Sequence, residues 1–233
     1  MHQIAFHPLR FGLFFFAALL AFANVTEAGP PLLCHPFEIG GAKSLPWDKS
    51  ENWNSPQAGY DIANVVPETM SLLSSETGVI IRMETLRRAA IYSVKDQRIA
   101  FELLSRLMAR ALDAEANEKP EALAWFDAGY LVETYKQAKW THEKQSSWLS
   151  KQNLIEGMNG YAWVLKGIQL GGDAPAMEFA ASLMKEGSFP NEHFRRAVAA
   201  ATDGSLLARN LVHFGDQAKN FAALRAKYGK TKN

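Results

Sequence analysis

Between Gln97 and Ala116 the apolar residues recur every four positions in two adjacent rows. Ile99, Leu103, Leu107 and Ala111 form one row; Ala100, Leu104, Met108 and Leu112 form the other. Steps of four keep both rows on one side of a helix, so this stretch is expected to be an amphipathic helix that buries one face. Arg98, Glu102, Arg106 and Arg110 make a charged row. Within it Glu102 precedes Arg106 by one turn, the favourable orientation for a helical ion pair. Asp96 is placed to cap the first turn. No segment sustains the alternation of a strand. Val79-Ile80-Ile81 comes nearest, and it is too short to outweigh its helical surroundings. The fold class that follows is all-α: an antiparallel helix array or short superhelix of about eight or nine helices, preceded by an irregular arm.

Further helices follow from the punctuation of the chain. Pro67 suits a first helical turn, and Val79 to Val94 forms the next candidate. Pro120 opens a helix to about Lys139, and Met158 to Leu170 is stopped by Gly171-Gly172. Asp173 and Pro175 start a helix that ends near Lys185, and another runs from Pro190 to Ala201. Ser205 can cap Leu206 to Phe214, and Asp216 can cap Gln217 to Tyr228. Residues 29 to 66 differ. They hold Pro30, Pro31, Pro36, Pro46 and Pro56 with Gly40, Gly41 and Gly59, and show no helical period. Prolines remove backbone donors and fix φ, which predicts an extended arm. Phe37, Ile39, Leu45, Trp47, Trp53 and Tyr60 make that arm too apolar for a free linker, so it is expected to pack on the helical domain of residues 67 to 229. Residues 230 to 233 read as a disordered tail.

The first 28 residues have another character. A basic start ends at Arg10, an apolar run spans Phe11 to Ala23, and Thr26-Glu27-Ala28 supplies small residues on either side of Glu27. That order is the pattern of a secretory signal peptide. The apolar run is too short to span a bilayer, which takes about 20 residues, and no second such run appears. The expected location is periplasmic or extracellular, without a transmembrane anchor in the mature chain. A small residue before Cys34 would be needed for lipid attachment there, and Leu33 stands in that place. The formal net charge of +1 gives no electrostatic footprint for nucleic acid. With 48% hydrophobic residues the chain has enough apolar material for a core. A single cysteine rules out an intrachain disulfide.

Two segments echo each other. Ala124-Trp125-x-x-Ala128-Gly129 and Ala162-Trp163-x-x-x-Gly167 share a large residue followed, one turn later, by a small one. The tryptophans lie 38 positions apart, and so do Gly129 and Gly167, a period within the range of helical repeats. The first segment, continued to Tyr135, resembles the first helix of a tetratricopeptide repeat. The second, followed by Met177-Glu178-Phe179-Ala180-Ala181, resembles a helix pair of that type, in the degenerate form expected of a secreted bacterial member. The pattern departs from the family at Lys166, where an apolar residue is usual, and in its longer period. The resemblance implies stacked helix pairs whose concave face binds peptides or proteins.

Chemical motifs are sparse. Cys34-His35 pairs a thiol with an imidazole, both metal ligands. His142, His193 and His213 are the only other histidines after residue 28, none at ligand spacing. The sequence therefore assigns no metal and no cofactor, with Cys34 and His35 the candidates if one were bound. His142-Glu143 lacks the second histidine of a zinc protease motif. Gly40-Gly41-Ala42-Lys43-Ser44 lacks the glycines and the preceding strand of a phosphate loop. Arg87-Arg88 and Arg195-Arg196 read as solvated helix faces. Aromatic residues dominate binding hot spots, and Trp125, Tyr130, Trp140 and Trp163 are the candidate binding residues. The expected function is a secreted or periplasmic non-catalytic module for a protein or peptide partner. The alternative is a helical cell-wall or glycan-acting hydrolase, which requires two carboxylates flanking the bond. Glu76 is the acid candidate, and no partner stands at a recognisable spacing.

Mass spectrometry of the exported protein should find a mature N-terminus near Gly29. A cytoplasmic chain that keeps residues 1 to 28 would overturn the export assignment.

Overall fold

A computed structural model describes residues 31–48, 52–141, 148–149, 155–185, 189–215 and 218–229. Among the described residues there are ten helices with defined bounds: α1 (Pro31–Cys34), α2 (Val65–Leu72), α3 (Val79–Ser93), α4 (Gln97–Ala116), α5 (Ala122–Thr141), α6 (Gly160–Gln169), α7 (Ala174–Met184), α8 (Glu192–Ala200), α9 (Leu206–Phe214) and α10 (Phe221–Tyr228). No strand occurs among the described residues, and one isolated bridge joins Trp47 to Pro56. The fold is all-α. The side chains of Asp96, Asn159, Asn191, Ser205 and Asn220 each accept a backbone amide of the helix that follows. Such caps offset the unpaired donors of a first turn.

Local differences from expectation have plain causes. The arm is not irregular throughout, because Pro31 opens the single turn of α1. Pro67 is the third residue of α2 rather than the first, since Asp61 caps a 3-10 turn, Ile62–Asn64, that leads into it. Asp173 precedes α7 without a side-chain capping bond. The last helix begins after Asn220. The expected start at Asp216 and Gln217, the signal segment and the tail all lie outside the described residues.

Helix α3 runs through the middle of the molecule, and its Arg82, Glu84 and Arg87 are buried along with its apolar residues. It contacts α1, α2, α4, α5 and α7. Arg87 and Arg88 are therefore not a solvated face. Arg87 is fully buried, and the Arg88 side chain is 17% exposed. Both converge on Glu84, Arg87 Nε at 2.7 Å and Arg88 Nε at 2.7 Å. Their remaining donors turn outward to the arm. Arg87 Nη1 donates to the carbonyls of Leu33 (3.0 Å) and Trp53 (2.8 Å), and Arg88 Nη1 to that of Leu45 (2.7 Å). The Phe37 amide donates to Glu84 (3.0 Å), and the Tyr92 hydroxyl to the Pro46 carbonyl (2.7 Å). The Trp47 ring lies under both guanidiniums, at 4.9 and 5.6 Å, a cation–π arrangement. Leu32, Leu33, Phe37 and Leu45 join the main apolar cluster. The arm's carbonyls thus satisfy buried arginines, which a buried charge requires.

A second buried ion group sits where α2, α3, α4 and α5 meet. Arg82 Nη1 donates to Asp127 at 2.5 Å, and Arg110 reaches the same oxygen. Arg110 also donates to the Leu73 carbonyl (3.0 Å), and Arg82 to those of Thr77 (2.8 Å) and Ser74. Among the described residues, Arg110 Nε and Asp127 Oδ1 have no hydrogen-bond partner. They are donor and acceptor of one ion pair, and a small rotation of the guanidinium would close a two-pronged contact.

Helices α5 and α6 lie antiparallel, with Ala122 beside Gly167 at one end and Lys136 on the Met158 carbonyl (2.7 Å) at the other. Gly129 and Gly160 meet backbone to backbone. A Cβ on Gly129 would lie 2.5 Å from the Gly160 carbonyl oxygen and 3.0 Å from the Trp163 Cβ. At Gly167 it would lie 2.9 Å from the Ala122 carbonyl oxygen. Side chains at these places would overpack the crossing, at a typical cost of about 1–3 kcal/mol. The two echoing segments therefore face each other head to tail rather than standing in parallel as equivalent helices of successive pairs.

Burial pushes the Glu84 carboxyl up, but the hydrogen bond and charge of Arg87, the charge of Arg88 and the Phe37 amide outweigh it, leaving it below its ordinary value. Its folded-state value thus lies beneath its unfolded one. The stabilisation is present above the unfolded carboxylate range, about 4.3, and is lost as pH falls through the folded value. Glu84→Gln should cost about 3–5 kcal/mol at neutral pH, because two buried guanidiniums lose their counter-charge. The gap to wild type should narrow in acid. Urea unfolding at neutral and acid pH measures both, and a neutral-pH midpoint equal to wild type would show that the arm is held by other means.

Candidate functional site

The antiparallel α5–α6 pair sets Trp125 against Trp163, ring centroids 6.0 Å apart and edge to face. Lys166, one turn beyond Trp163, places its ammonium 4.0 Å from the centre of the Trp125 ring and 2.5 Å from Glu115 of α4. Trp125 is 9% exposed and packs with Ala111 and Ala124 in a small cluster apart from the main core, and the half-buried Trp163 packs against both. Leu112, three positions before Glu115, is 52% exposed. Leu170, four positions after Lys166, is 37% exposed. Helical neighbours at three and four positions share a face, so Leu112, Glu115, Trp163, Lys166 and Leu170 border one surface. An apolar patch rimmed by an ion pair is the composition of an interaction surface.

The other two aromatic candidates lie elsewhere. Tyr130 is fully buried in the main core, and its hydroxyl has no hydrogen-bond partner among the described residues. Trp140 is 82% exposed, but fifteen positions along α5 from Trp125, about 22 Å at helical rise. The structure brings Trp125 and Trp163 together and leaves Tyr130 and Trp140 apart.

Cys34 ends α1 and is half-buried. Burial pushes its thiol up, against the charge of Arg87. The His35 ring lies 6.5 Å from that of His213 and 5.4 Å from Phe214. Burial first, and then His213, push the His35 imidazole down. Among the described residues no group of three or more His, Cys, Asp or Glu side chains is placed to hold a metal ion. Glu76 is exposed and accepts the Ser75 hydroxyl at 3.2 Å. His142 and Glu143 lie outside the described residues.

One constellation has no forerunner in the sequence motifs. The Tyr161 hydroxyl of α6 lies 2.6 Å from His193 Nε2 of α8, and His193 Nδ1 lies 2.5 Å from Glu178 Oε2 of α7. His193 is 7% exposed. Arg196, one turn after His193, stands 3.5 Å from Glu178 and 3.5 Å from Glu192. The Tyr161 hydroxyl stands toward solvent, where burial and the Glu178 charge push the phenol up against the pull of Arg196. Tyr161 also lines a cavity of about 520 Å³ with Glu133, Lys136, Glu156 and Lys185. Glu133 and Glu156 are engaged by Lys136 and Lys139 respectively. Only the spacing of His193 and Arg196 on one helix face was visible in the sequence; their partners come from two other helices.

No protein-family model, no curated protein and no solved structure matches the chain. The thiol chemistry has a direct consequence. A half-buried thiol with a raised pKa carries little thiolate, the reactive form. Cys34 in the folded protein should react with a maleimide more slowly than in the urea-unfolded chain at the same pH. Equal rates would show that the arm leaves the thiol open.

Proposed function

We infer that this protein is an exported, non-catalytic module that binds a protein or peptide segment through the surface around Trp163. The observation that carries this reading is the patch itself. Trp163, with the edge of Trp125, supplies rigid aromatic area of the kind that dominates hot spots. Leu112 and Leu170 extend its apolar border, and the Lys166–Glu115 pair gives a charged edge that can orient a partner. The support beneath it is stiff, because the glycine contact holds the two helix backbones against each other. A partner that docks there meets a preformed surface, which limits the ordering cost of binding. The export half of the reading rests on the charged start, apolar run and small residues of the first 28 positions.

Selection from a random peptide library displayed on phage tests the binding half. Selected peptides should be rich in aromatic and aliphatic residues. Their affinity should fall about tenfold or more, or about 1.4 kcal/mol, in Trp163→Ala, and less in Leu112→Ser. Selected peptides that bind Trp163→Ala as tightly as wild type would place any binding surface elsewhere.

A further inference from the structure

We propose that Tyr161 and Arg196 form a carboxylate-binding site whose hydroxyl donor is released when His193 takes up a proton. Two hydrogen bonds to one imidazole fix the donor directions. Neutral His193 carries a single ring hydrogen. The Glu178 carboxylate can only accept, so that hydrogen sits on Nδ1 and points at Glu178. Nε2 then accepts from Tyr161, and the phenol hydrogen is tied up. In imidazolium both ring nitrogens donate. Nε2 now donates to the Tyr161 oxygen, and the phenol hydrogen must turn away, toward solvent. The bond between the two side chains persists with its polarity reversed. Protonation therefore converts the outward side of Tyr161 from acceptor to donor without breaking the relay.

A second donor waits beside it. The Arg196 guanidinium is half exposed, and its two carboxylate contacts are both 3.5 Å long, beyond the usual 2.7–2.9 Å of a charge-assisted hydrogen bond, about the range in which such a pair is fully made. Its charge is felt at the Tyr161 hydroxyl. A carboxylate placed between them would take the guanidinium fork and the phenol hydrogen together. Phenol with a raised pKa stays protonated and serves as a donor rather than as a nucleophile.

The charges around His193 favour the same direction. Glu178 faces it from α7 and Tyr161 from α6, while Arg196 and Glu192 come from its own helix. Glu133 and Lys136 of α5, paired to each other, stand on the cavity side of Tyr161, together with Lys185 and with Glu156, which Lys139 engages. On the other flank α10 sets Tyr228 against Phe194 and Arg225 on the Ala201 carbonyl. Glu178, Glu192, Arg196 and neutral His193 carry one net negative charge, and protonation removes it. An anion is thus held more weakly by the neutral-imidazole form than by the protonated one. By linkage, a bound carboxylate must raise the proton affinity of His193. The site is independent of the Trp163 patch, since two positions on α6 place Tyr161 about 200° around the helix.

The test is NMR titration of the His193 ring in the full chain, with and without saturating acetate. The midpoint should rise in acetate, and acetate ion should bind about tenfold more tightly near pH 5.5 than near pH 8. Tyr161→Phe removes one oxygen and Arg196→Gln one charge; both should fold and both should lose the shift. An N-acetylated dipeptide acid, its C-terminal amide and glucuronate separate a peptide terminus from an acidic sugar as the source of the carboxylate. An acetate-independent His193 midpoint in wild type, or a full shift in Tyr161→Phe, overturns the proposal.

Discussion

Two guanidiniums and one backbone amide converge on the Glu84 carboxylate, and the seating of the arm depends on that convergence. A buried carboxylate alone would be neutralised or expelled. Surrounded by Arg87, Arg88 and the Phe37 amide, it stays ionised inside the protein. The arginines in turn have donors to spare, and they spend them on carbonyls that a proline-rich segment cannot pair within itself. Each side of the contact removes the other's unsatisfied polar groups. Apolar packing of Leu32, Leu33, Phe37 and Leu45 supplies the driving force, and the polar net fixes the register.

A different constraint governs the far side of the molecule. Where Gly129 meets Gly160 there is no side chain between two helices, so backbone approaches backbone. That closeness puts Trp125 and Trp163 edge to face at one end and brings the Tyr161 amide within 3.2 Å of Glu133 at the other. Helix α6 therefore serves two surfaces at once. One turn of it carries the indole patch, and the opposite face hands Tyr161 to His193 on α8.

Helix boundaries were legible because they are local. The rows of Gln97 to Ala116, the Asp96 and Ser205 caps and the Gly171-Gly172 stop depend on residues within a turn of each other. Burial of charge was not legible in the same way. Arg87-Arg88 beside Glu84 reads like any exposed helical ion pair, since the arm residues that cover it lie 34 to 54 positions upstream. The near-equality of Trp125 and Trp163 showed that two helices share a construction, but not that they face each other. Gly160 gave no signal as the partner of Gly129, because nothing local marks which glycine of an expected helix meets another backbone. The Tyr161–His193–Glu178 relay draws on three helices, and no spacing along one of them could have announced it.

The Glu38 contacts give the arm a further meaning. Its backbone amide and carbonyl are both held by the Asn210 side chain, 172 positions away, and its carboxylate by Arg209. A chain is synthesised from its N-terminus, so Glu38 emerges long before α9 exists. Loops of this length close slowly and late. The bonds from the arm to α3 span far shorter stretches and need only residues up to Arg88, so the growing chain can seat the arm on α3 first and fasten Glu38 to α9 when its last helices arrive.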